Sequence, residues 1–188
     1  MKNCKRFTIL WLAVAFISAG CAFYSMAGSI PSHINSIAIP LLDNQTSEFG
    51  IAENITDDLT DKFLEENILK IEDESEATSI LRGTIVKVED APYTFSEDEA
   101  VKEFRLKIYL DIEWYDVQNE IVLLKKQFSG WGAYGLTGDI SNDGVDNDGD
   151  GLIDTEDNDE FGEPRSFATN IAVTKIAEDI LNEILTSW

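Results

Sequence analysis

Histidine, cysteine and basic side chains are scarce in this 188-residue chain. It has one His, two Cys, and 14 Lys and Arg against 36 Asp and Glu, a formal charge of −22. So few cations exclude nucleic-acid binding by phosphate neutralisation, which needs clustered Lys and Arg. They also exclude simple electrostatic docking on anionic lipid. One histidine and two cysteines leave little room for a transition-metal site or a Cys/His nucleophile. The sole histidine, His33, follows Pro31-Ser32 and reads as a surface residue. No Ser/His/Asp set, phosphate loop or dinucleotide fingerprint is present, so the chain is not expected to be an enzyme. What the chain does have is 44% hydrophobic and 10% aromatic residues, enough for one domain of ordinary size with a real core.

The first 21 residues read MKNCKRFTILWLAVAFISAGC. Lys2, Lys5 and Arg6 precede an 11-residue apolar run, Phe7 to Ile17, broken only by Thr8. That run is shorter than the roughly 20 residues a bilayer span requires, and small residues follow it, so 1–20 reads as a secretory signal. Ser18-Ala19-Gly20-Cys21 resembles the lipobox of bacterial lipoproteins, with Ser18 where Leu is usual. The resemblance implies that Cys21 becomes the first mature residue and carries palmitate and other acyl chains, an anchor far firmer than a single chain. Ala22, in place of the Asp that retains such proteins in the inner membrane, implies the outer membrane, on its periplasmic side. The mature chain keeps 11 basic and 36 acidic residues, a net −25 on 168 residues. Cys21 is its only cysteine, so no disulfide is available and the core must supply the stability.

Residues 21–35 read as a lipidated tether and 36–188 as a single domain. Ser36 to Pro40 is a short β-like run, and Asp43-Asn44-Gln45-Thr46 is turn material. Ile51, Ile55, Leu59 and Phe63 recur every fourth residue among acidic neighbours, which predicts a helix over 51–67. Residues 68–71 and 79–89 read as strands. The strongest signal is 104–114, where Phe104, Leu106, Ile108, Leu110, Ile112 and Trp114 alternate with polar residues. Gln118-Asn119-Glu120 reads as a hairpin loop and 121–129 as the returning strand. Gly130 to Gly135 places Trp131 and Tyr134 between glycines, a composition commoner on mobile contact segments than in cores. Over 164–188, Ile176, Ala177, Ile180, Leu181, Ile184 and Leu185 form a helical stripe. The expected architecture is α+β, two helices packed on one face of a mostly antiparallel or mixed sheet of about four strands.

A lipobox, a short tether, the SIAIP strand, a D-N-x-T turn (Asp43, Asn44, Thr46), a Gly50-Ile51 helix start, a strand hairpin and a C-terminal helix together resemble the lipopolysaccharide (LPS)-assembly lipoprotein family, LptE-like. The resemblance covers about residues 17–135 and 164–188. It implies a non-catalytic plug and assembly partner of the outer-membrane β-barrel that exports LPS. LPS is anionic, so direct contact with it requires local cations; Arg105, Lys107, Lys125 and Lys126 lie on the expected hairpin.

Residues 136–163 fit neither period. No Lys or Arg occurs from Gln127 to Pro164, and 11 acidic residues lie between Asp139 and Glu163. Without a counter-ion these carboxylates repel and expand the loop. The order Asp146, Asp148, Asp150, Gly151, Leu152, Asp154, Asp157 matches a calcium loop: alternate oxygens converge, glycine allows the bend, and Leu152 offers its carbonyl. Asp157 stands where Glu is usual, which weakens the site. The run resembles the Asp-rich repeats of thrombospondin type 3, so Ca²⁺ is the expected cofactor, in a structural role. An alternative function is therefore a calcium-stabilised, lipid-anchored surface adhesion or scaffold module.

Overall fold

A computed structural model describes residues 30–135 and 162–186. The elements are β1 (Ser36–Ala38), β2 (Asp43–Asn44), α1 (Ile51–Glu66), β3 (Lys70–Ile71), β4 (Ser79–Phe95), β5 (Val101–Asp116), β6 (Ile121–Gly135) and α2 (Pro164–Thr186). The class is α+β, as the order of patterns requires. The sheet, however, has six strands in place of about four. Three of the six are only two or three residues long, too short to show a period, and β2 falls within the stretch read as a turn.

The strand order is β3-β1-β4-β5-β6, with β2 continuing the line of β1 along β4. Pairs before β4 are parallel and those after it antiparallel. β6 forms one rim of the sheet and β3 the other. Every even residue from Leu106 to Trp114 is buried, and the odd ones face outward, as the alternation demands. All three long strands outrun their expected limits, because the hairpin ends at Pro92 to Phe104 and Gly130 to Gly135 lack clean alternation.

Helix α1 buries Ile51, Ala52, Ile55, Leu59 and Phe63. It stops at Asn67, whose backbone is left-handed (φ 48°) and whose N–H bonds the Phe63 carbonyl. α2 lies beside it, joined by Lys62 Nζ to Glu178 Oε1 at 3.2 Å. Both helices share one core with the even residues of β5. Fully burying each large aliphatic side chain there stabilises by about 1.5–3 kcal/mol.

The contact of α2 with β6 explains the glycines. A Cβ on Gly130 would stand 2.1 Å from the Ala172 carbonyl oxygen, and one on Gly132 would stand 2.2 Å from that of Ala168. The helix backbone therefore rests directly on the strand. Gly130 to Gly135 is strand, and its inward glycines are a packing surface for α2.

The sheet has two ends. At the proximal end the chain arrives from its N-terminus, and the β5–β6 turn lies there. Asp116 is buried and holds that turn, accepting from the Gln118 and Asn119 backbone N–H groups at 3.0 and 3.1 Å and from Asn119 Nδ2 at 2.8 Å. His33 Nε2 donates to it at 2.6 Å. His33 is thus a half-buried fastening and no bare surface residue. Burial works to raise the Asp116 pKa, but the bonds from His33 and Asn119 outweigh it and hold the carboxyl below its usual range.

At the distal end Arg165, in the first turn of α2, makes a two-pronged bond to Glu48 (2.9 and 3.2 Å) and reaches Asp90 at 2.8 Å. Tyr134 O–H donates to Asp90 at 2.7 Å, and burial followed by that neighbour pushes its pKa up to about 12. Tyr134 and Arg165 thereby clamp the chain on both sides of 136–161.

Candidate functional site

The face of β4, β5 and β6 opposite the helices carries the odd residues of β5. A β-bulge between Pro92 and Thr94 adds Tyr93 to β4 and turns its ring onto this face. There the Arg105 guanidinium sits 4.0 Å from the centre of the Tyr93 ring and 5.1 Å from that of Trp131. The two rings are 5.9 Å apart. Lys175 reaches from α2 to the same Trp131 ring at 4.8 Å. Lys107, directly opposite Trp131 in the β5–β6 register, lies 4.8 Å from the Tyr109 ring. Each exposed cation–ring contact is worth about 0.5–1 kcal/mol.

Arg105, Lys107 and Lys175 form no ion pair with another described residue, unlike most lysines nearer the proximal end. Lys125 is held by Glu113 at 2.9 Å and Lys126 by Glu183 at 2.6 Å, the latter on the helix side. The four-cation cluster expected on the hairpin is therefore split. Arg105 and Lys107 share the open face with Lys175, a residue that sequence spacing could not bring to them, while Lys125 and Lys126 are neutralised by carboxylates.

Beside this cluster the open face forms a shallow polar trough of about 580 Å³, lined by Arg82, Thr84, Asp111, Glu113, Lys125 and Gln127 among others. Gln127 Nε2 donates to Asp111 Oδ1 at 2.8 Å across it. Among the described residues no group of three or more His, Cys, Asp or Glu side chains could hold a metal. No helix among them is long and apolar enough to cross a membrane.

Three aromatics of the β5–β6 hairpin divide. Trp114 is fully buried in the core. Tyr134 stacks on Phe104 at 5.8 Å and is bound to Asp90 on the helix side. Trp131 alone is on the open face, 37% exposed. Cys21 and the calcium-loop residues Asp146, Asp148, Asp150, Leu152, Asp154 and Asp157 lie outside the described residues.

Among solved structures, a Xanthomonas campestris protein, XCC0632, shares the fold with TM-score 0.54 at 9% identity, over 84% of this chain and 87% of that one. A minor lipoprotein from Acinetobacter baumannii matches with TM-score 0.46 at 12% identity, over 80% and 91% of the two chains. Lipoprotein B from Nitrosomonas europaea gives 0.45 at 13% identity, over 84% and 89%. A search of curated proteins gives no match. The model of the family described as LptE, lipopolysaccharide-assembly, matches residues 34–187, which span every element of the sheet and both helices. This chain therefore belongs to the LptE lipopolysaccharide-assembly family.

Proposed function

We propose that the protein is a lipid-anchored, non-catalytic partner of the outer-membrane β-barrel that exports LPS, acting in assembly of that barrel and in LPS transport. The open face of β4, β5 and β6 is the surface it presents. The observation that carries this reading is the combination, on a sheet face that no described helix covers, of exposed Trp131 and Tyr93 with Arg105, Lys107 and Lys175. Tyr and Trp side chains anchor protein interfaces because they bury much area with little loss of rotamer freedom, and Arg is enriched beside them. The same cations offer anionic groups a local exception to the chain's negative field.

In this reading Cys21 is acylated after the signal 1–20 is removed, and the lipid holds the domain on the periplasmic side of the outer membrane. The 136–163 insert is a structural calcium loop, in which Asp146, Asp148, Asp150, Asp154 and Asp157 would hold the ion by side-chain oxygens and Leu152 by its carbonyl. Bound Ca²⁺ would neutralise carboxylates that otherwise repel.

Affinity purification of the full protein from its native envelope, with a photo-reactive residue replacing Trp131, tests the proposal. Recovery of a β-barrel partner cross-linked at 131 is expected. Recovery of no barrel protein, or cross-links only from a control position on the outer side of α1 such as Asp57, overturns it.

A further inference from the structure

The exposed apolar side chains of this molecule are not scattered. Ten large ones are exposed among the described residues, and half of them crowd the proximal end. Val117, Ile121 and Val122, at 38%, 51% and 46% exposure, belong to the β5–β6 turn and its first paired residues. Leu64 stands in the last turn of α1 and Ile68 between α1 and β3, at the same end of the sheet. Single exposed apolar residues are ordinary on a protein surface, whereas several gathered at one end of a fold mark a contact.

The turn that carries them is rigid. Its backbone N–H groups are taken up by Asp116, and Val117 N–H bonds the Thr78 carbonyl at 3.1 Å. The apolar groups are therefore presented in one arrangement, so little ordering entropy is lost when they are buried.

The chain reaches the fold at this same end. Ile34 is buried, Ile30 packs against the core, and His33 is bonded to Asp116 beside Val117. Eight residues lie between Cys21 and Ile30, a reach of at most about 30 Å. The distal tip, with Tyr93 and Phe95, lies the length of β5 away, 16 residues or about 50 Å. The acyl chains are thus leashed to the end where the apolar turn projects.

We propose that the proximal end rests in the interface of the bilayer that holds the anchor, with Val117, Ile121 and Val122 inserted at headgroup depth as a second point of attachment. This rests on the reading of Cys21 as the acylated residue. The occupant is lipid, engaged by apolar contact. Glu65, Glu66 and Glu120 are exposed at this end and disfavour charge-driven attachment to anionic headgroups. The consequence is a domain standing on its proximal end, with the long strands rising from the membrane, the open sheet face turned sideways and the cation cluster toward the distal end.

The test uses the full lipoprotein reconstituted in phosphatidylethanolamine–phosphatidylglycerol vesicles. With lipid on the Cys21 sulfur, Val122→Cys supplies one free thiol for an environment-sensitive dye, and Phe95→Cys supplies the distal control. Dye at 122 is expected to shift to the blue and be quenched by nitroxide-bearing lipid, insensitive to added salt, while dye at 95 does neither. Equal behaviour at the two positions, or quenching at 95 alone, overturns the proposal. Val117→Asp/Ile121→Asp in the Val122→Cys background should abolish the quenching; persistence would overturn it as well. The mass of the N-terminal peptide separates the two readings. An acylated peptide without quenching at 122 refutes the apolar turn alone, and an unacylated peptide refutes the anchor and the proposal together.

Discussion

Two carboxylates with opposite histories dominate at the scale of the residue. Asp116 is buried yet fully bonded, and its pKa lies below the ordinary 3.8. Its contribution is complete at neutral pH and is lost as pH falls below about 4, through its folded-state value. Asp116→Ala should cost roughly 1–3 kcal/mol in urea unfolding at pH 7, the loss typical of buried donors left without their acceptor. The difference from the native protein should shrink on acidification. Asp58 is the reverse case. Burial first, and then Asp61, Glu178 and Glu65, raise its pKa against the pull of Lys62, and Oδ2 is buried with no hydrogen-bond partner among the described residues. The folded protein therefore takes up this proton before the unfolded chain does. The ionised form weakens the fold at neutral pH, a cost relieved as pH falls through the raised value. Asp58→Asn should raise the urea midpoint at pH 7 and leave the m-value unchanged. Neither role was legible beforehand. A lone histidine after Pro-Ser reads as tether, and an aspartate on a largely polar helix face reads as solvated, because both depend on partners distant in sequence.

The elements that could be read were those whose length exceeds their period. Ile51 to Phe63 and Leu106 to Trp114 repeat their pattern at least four times, so the helix and the central strand are plain in the sequence. β1, β2 and β3 repeat nothing and owe their existence to the neighbour they pair with. Gly130 and Gly132 misdirect in a different way. Glycines two apart resemble a loop until the Ala168 and Ala172 pair, four apart on α2, is set against them. Gly130→Ala should destabilise by about 1–3 kcal/mol, since the new methyl meets helix backbone that cannot step aside. The same change at Gly135, where nothing lies within 4 Å, should be near neutral, and thermal melts of the two variants give the comparison. The clamp made by Arg165, Asp90 and Tyr134 leads to a further expectation. Replacing residues 137–160 with four Gly/Ser residues should leave the fold intact and, in calcium-free buffer, raise stability by about 1 kcal/mol through the shorter closure.

On the scale of the whole molecule, charge is the organising quantity. A net −22 on the chain works against compactness at low ionic strength. Calorimetric titration with Ca²⁺ should show binding in about the 10⁻⁴–10⁻³ M range expected of extracellular sites. Asp146→Ala/Asp150→Ala should abolish the heat; identical heats in both proteins would remove the calcium loop from the account. The candidate surface was half legible at this scale. Arg105 and Lys107 declare themselves by strand position and Trp131 by the glycines around it, whereas Lys175 arrives from a helix and Lys126 departs to Glu183.

The long rim formed by β6 bears on how the cell must handle this protein. No strand among the described residues pairs with its outer side, and its opening residues Ile121 to Leu124 carry no charge until Lys125. A bare margin of that kind is a template for strand addition by any neighbour, including an identical copy. Wherever that margin stays uncapped, rising concentration favours edge-to-edge pairing of copies, so the amount of protein present bears on whether it stays single.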